Sequence, residues 1–328
     1  MKRVGAYVVC MIAFALVVSS PVLCCADTAD WLASRVESAS FLSRSAEIPP
    51  GGEFVDLDRY ELEVIPTQTE TYIEGEEWVW QVLPVGLIYN SYLAGMKEPR
   101  LSGNFINVDD EGVFFDGTLG TRVGLLRYGT VQGFLPEGVQ FDAEGSAQLR
   151  LDLEDNVDVR SVDFRGGAPL TFGAGRFRWK LGYYHLSSHL GDEFLLNNPA
   201  YPRLNFVRDV LVFGQTVFLT PRLRVYGEAG WAFSKDVSGP WEFQFGLDYA
   251  PLGPTGIRGA PFFAMNAHLR EEVNFGGSFT AQAGWAWRGD FSTSLLRAGF
   301  HYMNGKSNQF SFYNEHEEQL GLAMWYDF

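Results

Sequence analysis

Long segments in which apolar and polar residues alternate dominate the sequence from about residue 100 onward. Between Phe141 and Leu153 the odd positions are apolar or small and the even positions are polar or charged. Similar alternation covers 241–249, 278–288 and 319–328. Because successive side chains of a β-strand point to opposite faces, this pattern predicts strands with one apolar and one polar face.

Two architectures contain strands of this kind, the soluble β-sandwich and the transmembrane β-barrel. The segments here are longer than most sandwich strands and long enough to cross a bilayer at a tilt. Their apolar faces carry Trp, Tyr and Phe near the strand ends, and aromatic residues make up 15% of the chain. Aromatic girdles of this kind are typical of membrane barrels. We therefore predict an all-β fold, an antiparallel transmembrane β-barrel with a short N-terminal extension.

The pattern contains about twelve candidate strands, an even number, as bacterial barrels usually have. The predicted strands are 99–108, 112–127, 141–153, 158–173, 176–190, 204–219, 222–234, 240–250, 260–273, 276–288, 292–304 and 316–328. Their polar faces should point into the lumen, where we expect Arg176, Arg178, Lys180, Glu242, Gln244 and Asp248. A lumen of this size either is packed with side chains or leaves a narrow pore, and the sequence favours neither.

The last strand ends on the aromatic residue Phe328. If that end is periplasmic, the short turns near 173–175, 220–222 and 289–292 fall on the periplasmic side, where barrels carry short turns. The longer connection at 191–203 then lies outside the cell, with that at 305–315. We expect the Phe328 strand to engage the barrel-insertion machinery.

The first residues predict export. Two basic residues precede an apolar stretch, and the small residues at Cys24 and Ala26 suit a cleavage site before Asp27. We assign 1–26 to a signal peptide, 27–82 to a periplasmic arm or cap and 83–328 to the barrel. The three cysteines, Cys10, Cys24 and Cys25, all fall in the leader. The predicted location is the bacterial outer membrane, with outer-membrane lipid as a partner; the net charge of −15 disfavours nucleic acid.

One polar pair interrupts an outward-facing apolar series. His185 and Ser187 share the parity of Phe177, Trp179 and Tyr183, which we expect to face lipid. Polar groups on that face are costly unless they lie at the interface or have a function. Two residues apart on one strand, a His can act as general base for a Ser nucleophile. The alternative is an ordinary interfacial hydrogen bond.

The sequence His185-Leu186-Ser187 resembles the motif of outer-membrane phospholipase A and, more loosely, the outer-membrane lipid A deacylases. This resemblance implies a serine hydrolase that cleaves acyl esters of outer-leaflet lipid. It also implies an Asn at the start of the following strand that orients the His, and the matching position is Asn205.

A second resemblance covers most of the predicted barrel. The strings LPVGLIYNSYLAGMKEPRL (83–101), YYHLSSHLGDEFLLNNPAYPRLNFVRD (183–209), PWEFQFGLDYAP (240–251) and RGAPFFAMNAHLREEV (258–273), with the terminal WYDF, resemble a bacterial envelope family known as domain of unknown function 1207. That family implies an outer-membrane protein without an assigned activity.

Two further questions stay open at this point. His189, Asp192 and Glu193 could hold a divalent cation, with calcium as one candidate, or could be solvated loop residues. The chain could also be a barrel without catalysis, either a small channel or a structural envelope protein. The geometry among His185, Ser187 and Asn205 separates these readings best.

Overall fold

The alternating segments form one large antiparallel sheet in the computed structural model, which describes residues 77–131, 133–289 and 294–328. The predicted signal peptide and nearly all of the predicted arm lie outside these residues. The strands are β1 (Val79–Val82), β2 (Leu101–Val108), β3 (Gly112–Gly129), β4 (Gly138–Asp152), β5 (Asp158–Ala174), β6 (Phe177–Leu190), β7 (Phe206–Phe218), β8 (Leu223–Asp236), β9 (Trp241–Tyr249), β10 (Ala260–Arg270), β11 (Gly276–Trp287), β12 (Leu295–Lys306) and β13 (His316–Asp327).

Strands β2 to β13 close into a twelve-strand barrel. Each pairs with its neighbours in sequence, and β13 pairs with β2 from Tyr326↔Leu101 to Gln319↔Val108. Closure leaves no free edge along this seam, which is the property that lets a sheet exist in lipid. The predicted fold class and strand number are confirmed, and the strand ends differ from the predicted ones by no more than three residues.

A thirteenth strand, β1, was not predicted. Val79 to Val82 pair with Gly129 to Leu126 of β3, beyond the part of β3 that pairs with β2. β1 and β2 thus occupy one position in the wall, one after the other. In the described part of the chain the sheet therefore begins at Val79, four residues before residue 83, the predicted start of the barrel.

The chain between β1 and β2 runs through the lumen. We call residues 83–100 the plug segment. Its buried side chains include Leu87, Ile88, Tyr89, Tyr92, Leu93, Lys97, Glu98 and Arg100. From the opposite rim, residues 307–315, which we call the inner loop, fold inward and bury Phe310 and Phe312 in a short 3-10 turn. The lumen is therefore filled by the chain itself.

Side chains divide between the two faces of the wall as the alternation predicted. Exposed apolar residues form the outer face, among them Phe105, Leu119, Phe141, Phe164, Leu181, Phe213, Phe300 and Leu322. On the inner face Arg178, Lys180, Glu242, Gln244 and Asp248 are buried, as expected, whereas Arg176 lies in the turn before β6.

Ion pairs make up much of the interior. Six of the largest fully buried side chains are arginines: Arg127, Arg150, Arg178, Arg208, Arg270 and Arg297. Arg150, for example, contacts Asp116 at 2.7 Å and Glu317 at 2.9 Å. Buried charges of this kind persist only when they are paired. No helix in the described part of the chain is long and apolar enough to cross a membrane.

Candidate functional site

Strand β6 carries the predicted nucleophile and base on its outer face. His185 and Ser187 are half-buried, whereas their neighbours Leu186 and Ser188 are buried and face inward. The His185 side chain is 46% exposed, so it is accessible from outside the barrel. Both residues lie close to the rim at which β6 ends.

A carboxylate on the next strand holds the imidazole. His185 and Asp209 are cross-strand partners of β6 and β7, and His185 Nδ1 lies 2.9 Å from Asp209 Oδ1. The Tyr183 hydroxyl donates to the same carboxylate oxygen at 2.7 Å. A carboxylate on Nδ1 fixes the tautomer in which Nε2 accepts a proton, the state that a general base needs.

Asn205 lies elsewhere. Its side chain is exposed, precedes β7 and donates from Nδ2 to Asp236 Oδ2 at 3.2 Å. The structure thus brings Asp209, and not Asn205, to His185. A parity signal did exist in the sequence, because Asp209 is a charged residue in the outward series that continues with Leu211 and Phe213.

Ser187 lies two residues beyond His185 on the same face, opposite Phe164 of β5 and Val207 of β7. Among the described residues no hydrogen bond joins its hydroxyl to His185. Catalytic hydrogen bonds often form only when substrate is bound. The roles predicted for His185, Ser187 and Asn205 stay predictions.

Two glycines leave the outer face of the wall beside His185 without side chains. Gly166 of β5 is its cross-strand partner on the other side, and Gly145 of β4 follows in the same row. A Cβ built on Gly166 would approach no atom closer than Glu144 O at 4.0 Å. Phe164 stands on one side of this row and is 48% exposed. A shallow depression on the outer face of the wall therefore adjoins the imidazole.

The predicted metal ligands do not converge. His189 is exposed, with its ring 6.1 Å from that of Phe164. Asp192 and Glu193 lie in the first turn of the short helix α1 (Asp192–Asn197). Within the described ranges no group of three or more His, Cys, Asp or Glu side chains could hold a metal ion. The calcium expectation stays a prediction.

Acidic side chains do gather at this rim. Asn197 of α1 donates to Asp155 at 3.2 Å and to Asp158 at 3.4 Å. The cluster is therefore a negatively charged feature of the rim, several residues nearer the start of β5 than Gly166, the cross-strand partner of His185.

Comparison with known proteins identifies a family. The model of a family described as "Protein of unknown function (DUF1207)" matches residues 82–328. No curated protein matches the chain.

Solved structures with a similar fold are outer-membrane barrels. The calcium-bound outer membrane phospholipase dimer from Salmonella typhi is 12% identical with a TM-score of 0.47, over 69% of this chain and 90% of that one. The phospholipase A from Escherichia coli is 11% identical with a TM-score of 0.46, over 69% and 92%. KdgM porin is 10% identical with a TM-score of 0.38, over 70% and 99%. Likeness at this level carries no argument about activity, which has to rest on this chain's own side chains.

Proposed function

The chain belongs to the DUF1207 family of proteins of unknown function, and because that membership brings no activity, we propose one from the site: a serine acyl-ester hydrolase of the bacterial outer membrane. Ser187 is the nucleophile, His185 the general base and Asp209 the residue that orients the base and stabilises its protonated form. The substrate is an acyl ester of outer-leaflet lipid. The observation that carries the proposal is the 2.9 Å contact between His185 Nδ1 and Asp209 Oδ1 on the lipid-facing side of the wall.

Location in the outer membrane is part of the same proposal. The outer face presents large apolar side chains around the barrel, for example Phe105 at 58%, Phe300 at 66% and Leu322 at 59% exposure. Exposed apolar area on this scale is stable in lipid and would aggregate in water. Export through the predicted signal peptide belongs to this proposal as well.

Position on the outer face matters for the substrate. Polar side chains such as His185 and Asp209 destabilise a barrel more when they face lipid than when they face the lumen. Near the rim, however, this pair lies where the ester groups of a bilayer begin. The bare wall at Gly166 and Gly145 gives an acyl chain a place to lie beside the imidazole.

The reaction follows from the orientation of the imidazole. Ser187 Oγ attacks the acyl carbonyl and its proton passes to His185 Nε2. Collapse of the intermediate breaks the ester bond, and the leaving alcohol takes the proton back from Nε2. Water then repeats the same steps on the acyl-serine and releases a fatty acid. Asp209 stays ionised throughout and stabilises the imidazolium that forms twice.

An open channel fits the structure less well than a hydrolase. The plug segment and the inner loop occupy the lumen, and buried ion pairs fill much of what is left. A structural barrel without catalysis would also have this interior. It gives no reason, however, for a His–Asp pair and a Ser on the lipid-facing side, and the activity assay separates the two.

The test uses purified, folded barrel in mixed micelles of phospholipid, with calcium in one arm and a chelator in the other. Wild type should release fatty acid, and Ser187→Ala should lose that activity. Ser188→Ala is the matched control, because it is the same change one residue away on the inner face. An inactive wild type on every acyl ester tried, or an active Ser187→Ala, would refute the proposal.

A further inference from the structure

The plug segment is clamped to the wall through its backbone. Arg224 donates to the carbonyl of Asn90 at 3.0 Å and also to that of Ser91. Arg297 donates to the carbonyl of Leu93 at 3.1 Å, whose amide in turn donates to Asp248 at 3.2 Å. Because these acceptors are backbone groups, the contacts fix the path of the segment whatever its side chains are.

Arg127 completes this clamp near the start of the plug segment. Its guanidinium donates to the carbonyls of Val85 at 3.2 Å and Gly86 at 2.8 Å. Farther along, the Tyr92 hydroxyl donates to Glu228 at 2.9 Å. The segment is thus tied to wall strands on several sides of the lumen rather than to one neighbour.

The inner loop is held from the other rim by separate contacts. Arg270 donates to the carbonyls of Ser307 at 3.2 Å and Tyr313 at 3.1 Å. Arg150 donates to Asn308 at 3.0 Å, and the Ser188 and Ser311 hydroxyls lie 2.7 Å apart. Loop and plug therefore have independent attachments to the wall.

The two inserts meet at one buried carboxylate. Lys97 of the plug segment forms a salt bridge with Asp163 of β5, and both side chains are almost fully buried. The backbone amide of Phe310 in the inner loop donates to the same oxygen, Oδ2, at 3.1 Å. Lys97 Nζ also lies 4.7 Å from the centre of the Phe310 ring. Asp163 thus receives one contact from each insert.

We propose that the barrel is a closed pore, sealed from both rims by its own chain, and that Lys97 and Asp163 are the latch that holds the two seals together. Without the latch, Asp163 would be a buried charge with a single amide donor, and Lys97 a buried cation without a counterion. Each state is costly, so the inserts separate and water enters between them. A twelve-strand wall is wide enough to leave a narrow aqueous path once its contents part.

This inference does not depend on the proposed hydrolase. The latch lies on the inner face of the wall, whereas His185, Ser187 and Asp209 lie on the outer face. A barrel without hydrolase activity could still be latched, and a hydrolase could still conduct, so failure of one proposal is visible separately from failure of the other.

Ion conductance in planar bilayers tests the latch. Wild-type barrels, shown to be folded by heat-modifiable migration, should be nearly silent, with only rare, brief openings. Lys97→Glu places two like charges in contact and should raise open probability by roughly 5- to 150-fold, the usual range for coupling in a two-state device. The reversed pair, Lys97→Glu with Asp163→Lys, should return the barrel to silence. Lys235→Glu, the same charge change at an exposed position of β8, is the control and should stay silent.

A cysteine pair keeps the proposal testable if Lys97→Glu fails to fold. The chain has no cysteine after Cys25, so Lys97→Cys with Asp163→Cys can be joined specifically by a short bis-maleimide. The uncoupled pair should conduct and the coupled pair should not. A wild type with stable open conductance would overturn the proposal. So would folded Lys97→Glu barrels that remain silent, or a coupled pair that conducts like the uncoupled one.

Discussion

Asp209→Ala best tests which residue orients His185: Asp209, which contacts it in the structure, or Asn205, which the sequence motif implied. It removes the carboxylate that accepts from His185 Nδ1 at 2.9 Å and from the Tyr183 hydroxyl at 2.7 Å. A hydrogen bond to a charged group contributes about 1.5–3 kcal/mol. The two side chains are 46% and 24% exposed, so solvent screening places this bond at the lower end of that range.

We therefore expect Asp209→Ala to lose about 1.5–2 kcal/mol of transition-state stabilisation, which lowers kcat roughly 10- to 30-fold. KM should change little, because Asp209 affects the substrate only through its contact with His185. Initial rates of fatty-acid release in mixed micelles over a range of lipid fractions would give kcat and KM separately. Heat-modifiable migration of the same samples would show that the barrel is intact.

Asn205→Ala is the comparison. Asn205 is exposed and bonds to Asp236 rather than to His185, so its removal should change kcat by no more than about twofold, as surface substitutions generally do. The opposite ranking, with Asn205→Ala impaired and Asp209→Ala active, would refute the His185–Asp209 assignment and restore the orienting residue that the motif implied.

Three other outcomes follow from the same structure. Gly166→Leu should raise KM for long-chain esters without lowering barrel stability, because it fills the open depression beside the imidazole; an unchanged KM would place the acyl chain elsewhere. Leu322→Arg should destabilise the inserted barrel by about 2–4 kcal/mol in urea titrations if it lies near the midplane, and Leu296→Arg, at the end of β12, by about 0–1 kcal/mol; equal costs would contradict this placement. Arg297→Met should cost about 3–5 kcal/mol, because it leaves the buried Asp327 carboxylate with less compensation, and a neutral result would show that the lumen is hydrated there.

The alternation of apolar and polar residues was sufficient to predict the strands that form the wall of the barrel. In a closed membrane sheet one face meets lipid and the other meets the lumen, so each residue's polarity reports its side directly. In segments such as 141–153 and 316–328 the alternation therefore predicted both the strand and the residues that face inward. Aromatic residues near the strand ends favoured a membrane barrel over a soluble sandwich, because interfacial aromatic girdles are typical of membrane barrels.

The alternation did not predict that the plug segment fills the lumen. Residues 83–100 are apolar and interrupted by Pro84 and Pro99, so they have no strand period and could equally have been a linker. Their burial depends on arginines far away in sequence, such as Arg224 and Arg297, which bind their carbonyls. Carbonyl groups are the same in every residue, so no side-chain pattern marks the segment as the contents of a lumen.

The candidate site, too, was predicted only in part from the sequence. Parity on one strand was sufficient to put His185 and Ser187 on the lipid face, because neighbours two apart on a strand share a side whatever the rest of the fold does. The side chain that contacts the imidazole comes from β7, and its identity depends on the register between two strands joined by a long connection. A shift of four residues separates Asn205, which the motif implied, from Asp209, which pairs with His185. Register is set by the hydrogen-bond ladder of the closed barrel as a whole, so only the tertiary structure could decide it.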